Sequence, residues 1–275
     1  MKLKVKGVVC AALAAVSFAA SAQVRHDEGI GFYVGFDALS TVASGGYAGL
    51  PAINNNRLTL LLDHGDHFHG IGAYSYVGPA PFPGIRDTSS NNRNPETFSL
   101  ESPLPLNAGA GLYASRLRSS VGASEYSHLG IASIQSLAIY APGSAEDILF
   151  HSSANRWSGS LTGVTVGLQL ISATSGLKIG TESVVDLFAL SSTILLGHGN
   201  TFEFKPVYSV AASAMPGTYS AAFKLVSLNP ASPYADSGRF YYDFAVAAPV
   251  PEPSSYLMMV AGLMFLTVAA RRRRG

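Results

Sequence analysis

Between its two ends the chain places apolar side chains at every second position, and sustained spacing of three or four is absent. Tyr219, Ala221, Phe223 and Leu225 show the pattern at its clearest. A period of two puts alternate residues on one face of an extended strand, so the sequence is committed to sheets. Runs bounded by Gly, Pro, Asn and Ser predict strands at 31–36, 57–62, 70–77, 131–138, 161–172, 201–210, 217–228 and 239–246. Short strands at such intervals predict an all-β body over 23–249: an antiparallel β-sandwich, immunoglobulin-like or jelly-roll-like. Pro216-Gly217 reads as a turn leading into a strand, with Tyr219 as a corner tyrosine or an ordinary core aromatic. Residues 78–107, with Pro79, Pro81, Pro83 and an Asn-Asn-Arg-Asn run, read as a long loop laid over the surface.

The two ends read differently. Lys2, Lys4 and Lys6 precede a small, apolar stretch at 8–20, and Ala20-Ser21-Ala22 fits a signal-peptidase site before Gln23. Residues 1–22 are therefore expected to form a signal helix that is removed. The single cysteine, Cys10, falls inside that segment, so the exported part has no thiol. Disulfides and thiolate ligands are excluded, and any bound metal must be held by His, Asp or Glu. From Gln23 to Val250 there are 11 Lys or Arg against 16 Asp or Glu, a formal charge of −5. Such a body offers no basic face to phosphates, which argues against nucleic acid as a partner.

At the other end stand Pro251, Glu252 and Pro253, an apolar stretch at 256–270, and four arginines, Arg271 to Arg274. As a helix the apolar stretch spans about 22 Å, short of the roughly 30 Å hydrocarbon core of a bilayer. The arginines hold that end on the cytoplasmic side. This three-part tail resembles the PEP-CTERM sorting signal. The resemblance implies, over 250–275, a hydrophobic sorting helix inserted transiently in the inner membrane and an exosortase-type enzyme as partner. It also implies release to the cell surface or extracellular matrix.

All seven histidines lie in the exported body, three of them in Asp63-His64-Gly65-Asp66-His67-Phe68-His69. In an extended segment His67 and His69 share a face with Cα atoms about 7 Å apart, close enough for two imidazoles to meet at one ion. His64, beyond the flexible Gly65, offers a third nitrogen. Asp63 and Asp66 can ligate or orient a ring. Imidazole donors suit zinc, copper or nickel, and zinc is the expected ligand. A closed site wants a fourth ligand, for which His151, after the apolar pair Leu149-Phe150, is the first choice, ahead of His128 and His198.

Residues 56–61, 63–72 and 74–76, and less strongly His151-Ser152-Ser153 with Trp157-Ser158-Gly159, resemble a family of PEP-CTERM proteins repressed by the zinc-uptake regulator. That resemblance implies synthesis under zinc limitation and a role in zinc scavenging or retention. Catalysis is not expected. The His64-x-x-His67-x-His69 order matches neither the metallo-β-lactamase nor the zincin pattern, and the cupin glutamate is replaced near Ala73 and Tyr74. The alternative is a matrix protein that binds extracellular polysaccharide, with Trp157, Tyr241 and Tyr242 as stacking platforms.

Overall fold

The structure is a computed structural model describing residues 29–248, together with Met259, Leu263, Met264 and Arg272, which are helical and exposed. The signal segment 1–22, His26 and the Pro251-Glu252-Pro253 signature lie outside the described residues. No helix among the described residues is long and apolar enough to cross a membrane.

The body is mostly β and forms several sheets, with no barrel. Its first strands are β1 (Ile30–Phe36), β2 (Leu58–Asp63) and β3 (Phe68–Ile71). They extend a five-stranded sheet that also holds Gly130–Ser133 and, at its edge, Glu203–Phe204. A six-stranded sheet runs from Thr193–His198 through Thr165–Ala173, Gly217–Ser227 and Phe240–Val246 to Arg93–Asn94, with Leu104–Pro105 also on Phe240–Val246. Smaller sheets join Lys178–Gly180, Val207–Ala211, Arg116–Arg118 and Asn107–Ala108, and pair Ser75–Val77 with Gly84–Arg86.

The two large sheets contribute side chains to one core. Phe32, Leu60 and Leu62 of the first sheet join Phe223, Leu225, Phe240, Tyr242 and Phe244 of the second. The rings of Phe32 and Tyr242 meet edge to face at 5.4 Å across the layer. The other side of the first sheet carries a second core of Tyr33, Leu61, Phe68, Ile134, Leu149 and Trp157. Every residue of β2 is thus buried, which explains why Leu60, Leu61 and Leu62 follow one another instead of alternating with polar residues.

Pairing is mixed where an all-antiparallel body is expected. β1 pairs with Gly130–Ser133 in parallel, and Phe240–Val246 takes two short parallel neighbours. Both arise from long excursions between partners, and only such a connection can return a strand in the same direction. The expected strand 131–138 stops at Ser133, whose hydroxyl accepts from Gln135 N at 3.3 Å and starts the 3-10 turn Ile134–Ile139. The span 70–77 breaks at Gly72, where φ is +70°, and 201–210 breaks at Pro206. Helix α1 (Ala145–Phe150) is capped by Ser144, whose hydroxyl accepts from Asp147 N at 3.1 Å. Tyr219 donates to Met215 O at 2.9 Å, four residues upstream, as a corner tyrosine does. The proline-rich stretch 78–107 does more than cover the surface: Asn94, Glu96, Leu104 and Leu106 are buried.

Candidate metal centre

The histidine cluster occupies the hairpin between β2 and β3. Asp63 shapes it: its Oδ1 accepts from Gly65 N at 2.7 Å, Gly65 adopts φ +91°, and His64 N donates to His67 O at 3.1 Å. This is an Asx-type turn, which a glycine at the left-handed position completes. Asp63 therefore sets the loop, and its charge also acts on His64. In β3, His69 pairs with Leu62 and shares its face, so its ring stands at the rim of the core.

The opposite rim supplies what the sequence concealed. Arg93–Asn94 runs along Tyr241–Tyr242, and the chain then delivers Glu96, with no exposed surface, against the histidines. Glu96 Oε1 accepts from His69 Nδ1 at 2.8 Å and from Asn91 Nδ2 at 2.8 Å. Glu96 Oε2 accepts from the Tyr126 hydroxyl at 3.2 Å and faces His64 Nε2 at 3.3 Å. On its other side His64 Nδ1 faces Glu125 Oε1 at 3.3 Å. One ligand atom from each of His64, His69 and Glu96 falls within 4.8 Å of the others, a spacing that can hold a metal ion.

His67 lies on the solvent side, outside that group of three, and touches it through His69. Its Nδ1 lies 2.6 Å from Asp66 Oδ1, and its Nε2 lies 3.2 Å from His69 Nε2. Each of these two rings therefore directs Nδ1 at a carboxylate, which leaves the two Nε2 lone pairs facing each other. Two bare lone pairs repel at that distance, so the pocket calls for a proton or a cation between them. A carboxylate behind each imidazole is the usual support of a metal-bound histidine.

The charges follow this geometry. His64 is raised above its ordinary 6.5, first by the facing Glu96 carboxylate, against burial, and then by Glu125. Burial pushes the Glu96 carboxyl upward, but contacts with His64, His69 and Asn91 prevail and hold it at about 2. Burial pushes Tyr126 up to about 12, so its hydroxyl stays a donor. The cluster thus carries a fixed buried anion among neutral or cationic rings, the electrostatics of a cation site. His64 Nε2 is buried, and Glu96 Oε2 at 3.3 Å faces it. An imidazole nitrogen set beside a carboxylate fits a late transition metal.

A family model for the PEP-CTERM protein-sorting motif matches residues 249–274. The chain carries a PEP-CTERM sorting motif. As a carrier of this motif it is an exported, cell-surface-directed protein processed by exosortase. No curated protein and no solved structure matches the chain significantly. The likeness to the zinc-regulated PEP-CTERM family gains no support from the match, which ends at the tail.

The other sequence candidates fall elsewhere. His151 closes α1, exposed, with Nδ1 on Asp147 O at 2.9 Å and 3.1 Å from Asp147 Oδ1, and its ring packs on Phe150. None of these contacts reaches the cluster. Asp66 is exposed and contacts His67. His128 is buried with Nδ1 near Glu125 O at 3.2 Å, and His198 contacts the Thr165 hydroxyl at 3.1 Å. Trp157 and Tyr242 are core side chains, and Arg93 covers the Tyr241 ring at 4.5 Å, so the three do not form an open stacking platform. Glu96, Glu125 and Asn91 were missed because their sequence carries no local sign of the site. Only the fold brings Glu96 to His69, 27 residues away.

Proposed function

We propose that this exported protein binds a transition metal ion, zinc in the first place, through His64, His67, His69 and Glu96, and retains it outside the cell. The observation that carries the reading is the pair of Nε2 atoms on His67 and His69, 3.2 Å apart, each backed by a carboxylate at Nδ1. Two nitrogens on a tetrahedral zinc at ~2.0–2.1 Å stand about 3.3 Å apart, so little movement is needed to admit the ion. His64 Nε2 and Glu96 Oε2, 3.3 Å from each other, offer the same separation on the buried side. Glu96 takes the place expected of His151.

The resemblance to zinc-repressed PEP-CTERM proteins, read from the hairpin itself, favours zinc and a role in scavenging or retention under zinc limitation. We read the protein as non-catalytic: the His64-x-x-His67-x-His69 order matches neither the metallo-β-lactamase nor the zincin pattern. The test is zinc titration of the full chain beside a variant carrying His64→Ala, His67→Ala and His69→Ala. Loss of stoichiometric binding in the variant supports the reading. Equal affinity in both, or binding to extracellular polysaccharide that survives a chelator with no zinc bound, overturns it.

A further inference from the structure

The groups of the metal centre are not held alike. The Glu96 side chain has no exposed surface and that of His64 has 15%, whereas His69 has 30% and His67 has 50%. The first three are also fixed from behind. Glu96 accepts from Asn91 Nδ2 at 2.8 Å and from the Tyr126 hydroxyl at 3.2 Å. The His64 ring meets Glu125 Oε1, 3.3 Å from its Nδ1, and packs edge to face with Tyr126 at 6.3 Å. His69 stands in β3, paired to the buried Leu62, and its Nδ1 donates to Glu96.

His67 is held differently. It precedes β3, in the turn where Gly65 takes φ +91°. Its Nδ1 pairs with Asp66, a side chain 72% exposed, and its ring stacks on His64 at 5.6 Å. Exposed ion pairs contribute little, so this ring can swing outward at small cost. Substitution at a four-coordinate zinc passes through a fifth bond, and the incoming donor needs an open face. The His67 side, facing solvent, provides it. That mouth is also acidic. Asp66 and Glu125 reach the surface there, while Asp63 and Glu96 are buried beneath. Four carboxylates outnumber the two positive charges of the ion, so an anionic chelator is repelled and a neutral donor is not.

Resting on the metal reading above, we propose that His67 is the exchangeable ligand, and that the ion is cargo handed to an acceptor with neutral nitrogen donors, the imidazoles of a second protein. The acceptor nitrogen bonds to zinc from the solvent side, and the bond from zinc to His67 Nε2 breaks. One neutral imidazole replaces another, so no proton is released, and His67 stays paired with Asp66. His64, His69 and Glu96 keep the ion until further acceptor nitrogens displace them. Such a site loses little zinc to water and yields it on contact with the acceptor.

The experiment mixes the zinc-loaded full chain with excess fluorescent zinc indicator in stopped flow. One indicator has pyridyl-amine donors and the other carboxylate donors, and each rate is divided by that indicator's rate with free zinc. Transfer to the pyridyl-amine indicator is expected to rise in proportion to its concentration. It should outpace the carboxylate indicator about tenfold or more at low salt and lose that lead at high salt. His67→Ala is expected to weaken zinc binding yet speed transfer about tenfold or more, because no protein bond has to break first. Rates independent of indicator concentration, or unchanged in His67→Ala, overturn exchange at His67. Equal rates for the two indicators overturn the neutral acceptor. In each of these cases zinc still binds and the metal reading stands; if the chain binds no zinc, both fall.

Discussion

Replacing Glu96 with glutamine keeps the shape of the site and removes its buried charge. The amide oxygen can still accept from His69 Nδ1 and Asn91 Nδ2, the two partners of Oε1. The amide NH₂ then stands where Oε2 now faces His64 Nε2, and it donates into the lone pair a metal needs. Carboxylates that orient a ligating imidazole contribute about 10–100-fold in affinity, which is ~1.4–2.8 kcal/mol. Stability changes as well. A carboxyl held at about 2, against an ordinary 4.5, corresponds to at most ~3 kcal/mol of proton linkage. Solvent reaching the partly exposed ring of His69 reduces this to about 1–2 kcal/mol. Because the folded value lies below the unfolded one, this stabilisation is complete above 4.5 and is lost as pH falls from there toward 2. Glu96→Gln should therefore weaken zinc at least tenfold in a competition titration against a chromophoric chelator. It should also flatten the acid limb of urea-unfolding stability. Affinity within twofold of the parent, with an unchanged acid limb, would refute the role given to Glu96.

Other expectations follow from the same geometry. His151→Ala should leave zinc affinity within about twofold, since its ring is tied to Asp147. Zinc affinity should decline with acid from above pH 6.5, because the facing Glu96 raises His64 and a proton competes at a higher pH than for a free imidazole; chelator competition over about pH 5–8 reads this. Phe223→Ala, at a fully buried position packed against Phe240 and Tyr242, should cost about 3–5 kcal/mol in chemical unfolding.

The strands that alternate most regularly were legible as strands: Gly217–Ser227 and Phe240–Val246 lie where the period of two puts them. Elements governed by side-chain caps were not. Ser133 ends a strand and Ser144 starts a helix through single hydroxyl contacts that leave no periodic trace. The parallel pairings depend on excursions whose return path is set by tertiary packing. Half of the candidate site was legible for a simple reason: His64, His67 and His69 belong to one hairpin, so local geometry alone brings them together. Glu96 was not, because it sits in a proline-rich stretch that reads as surface loop and reaches His69 only through the second sheet. His151 resembled a ligand by its apolar neighbours, but those neighbours place it at the end of α1 and leave its ring on its own helix.

The central claim is that one cation sits between imidazoles of the β2–β3 hairpin and the buried carboxylate of Glu96. Anomalous diffraction at the zinc edge, from crystals of the zinc-loaded protein, addresses it most directly. One strong peak is expected about 2.0–2.2 Å from Nε2 of His67 and His69, with His64 and Glu96 closing around it. Density that leaves those two nitrogens in mutual contact with no ion between them, or zinc found at His151 instead, would contradict it.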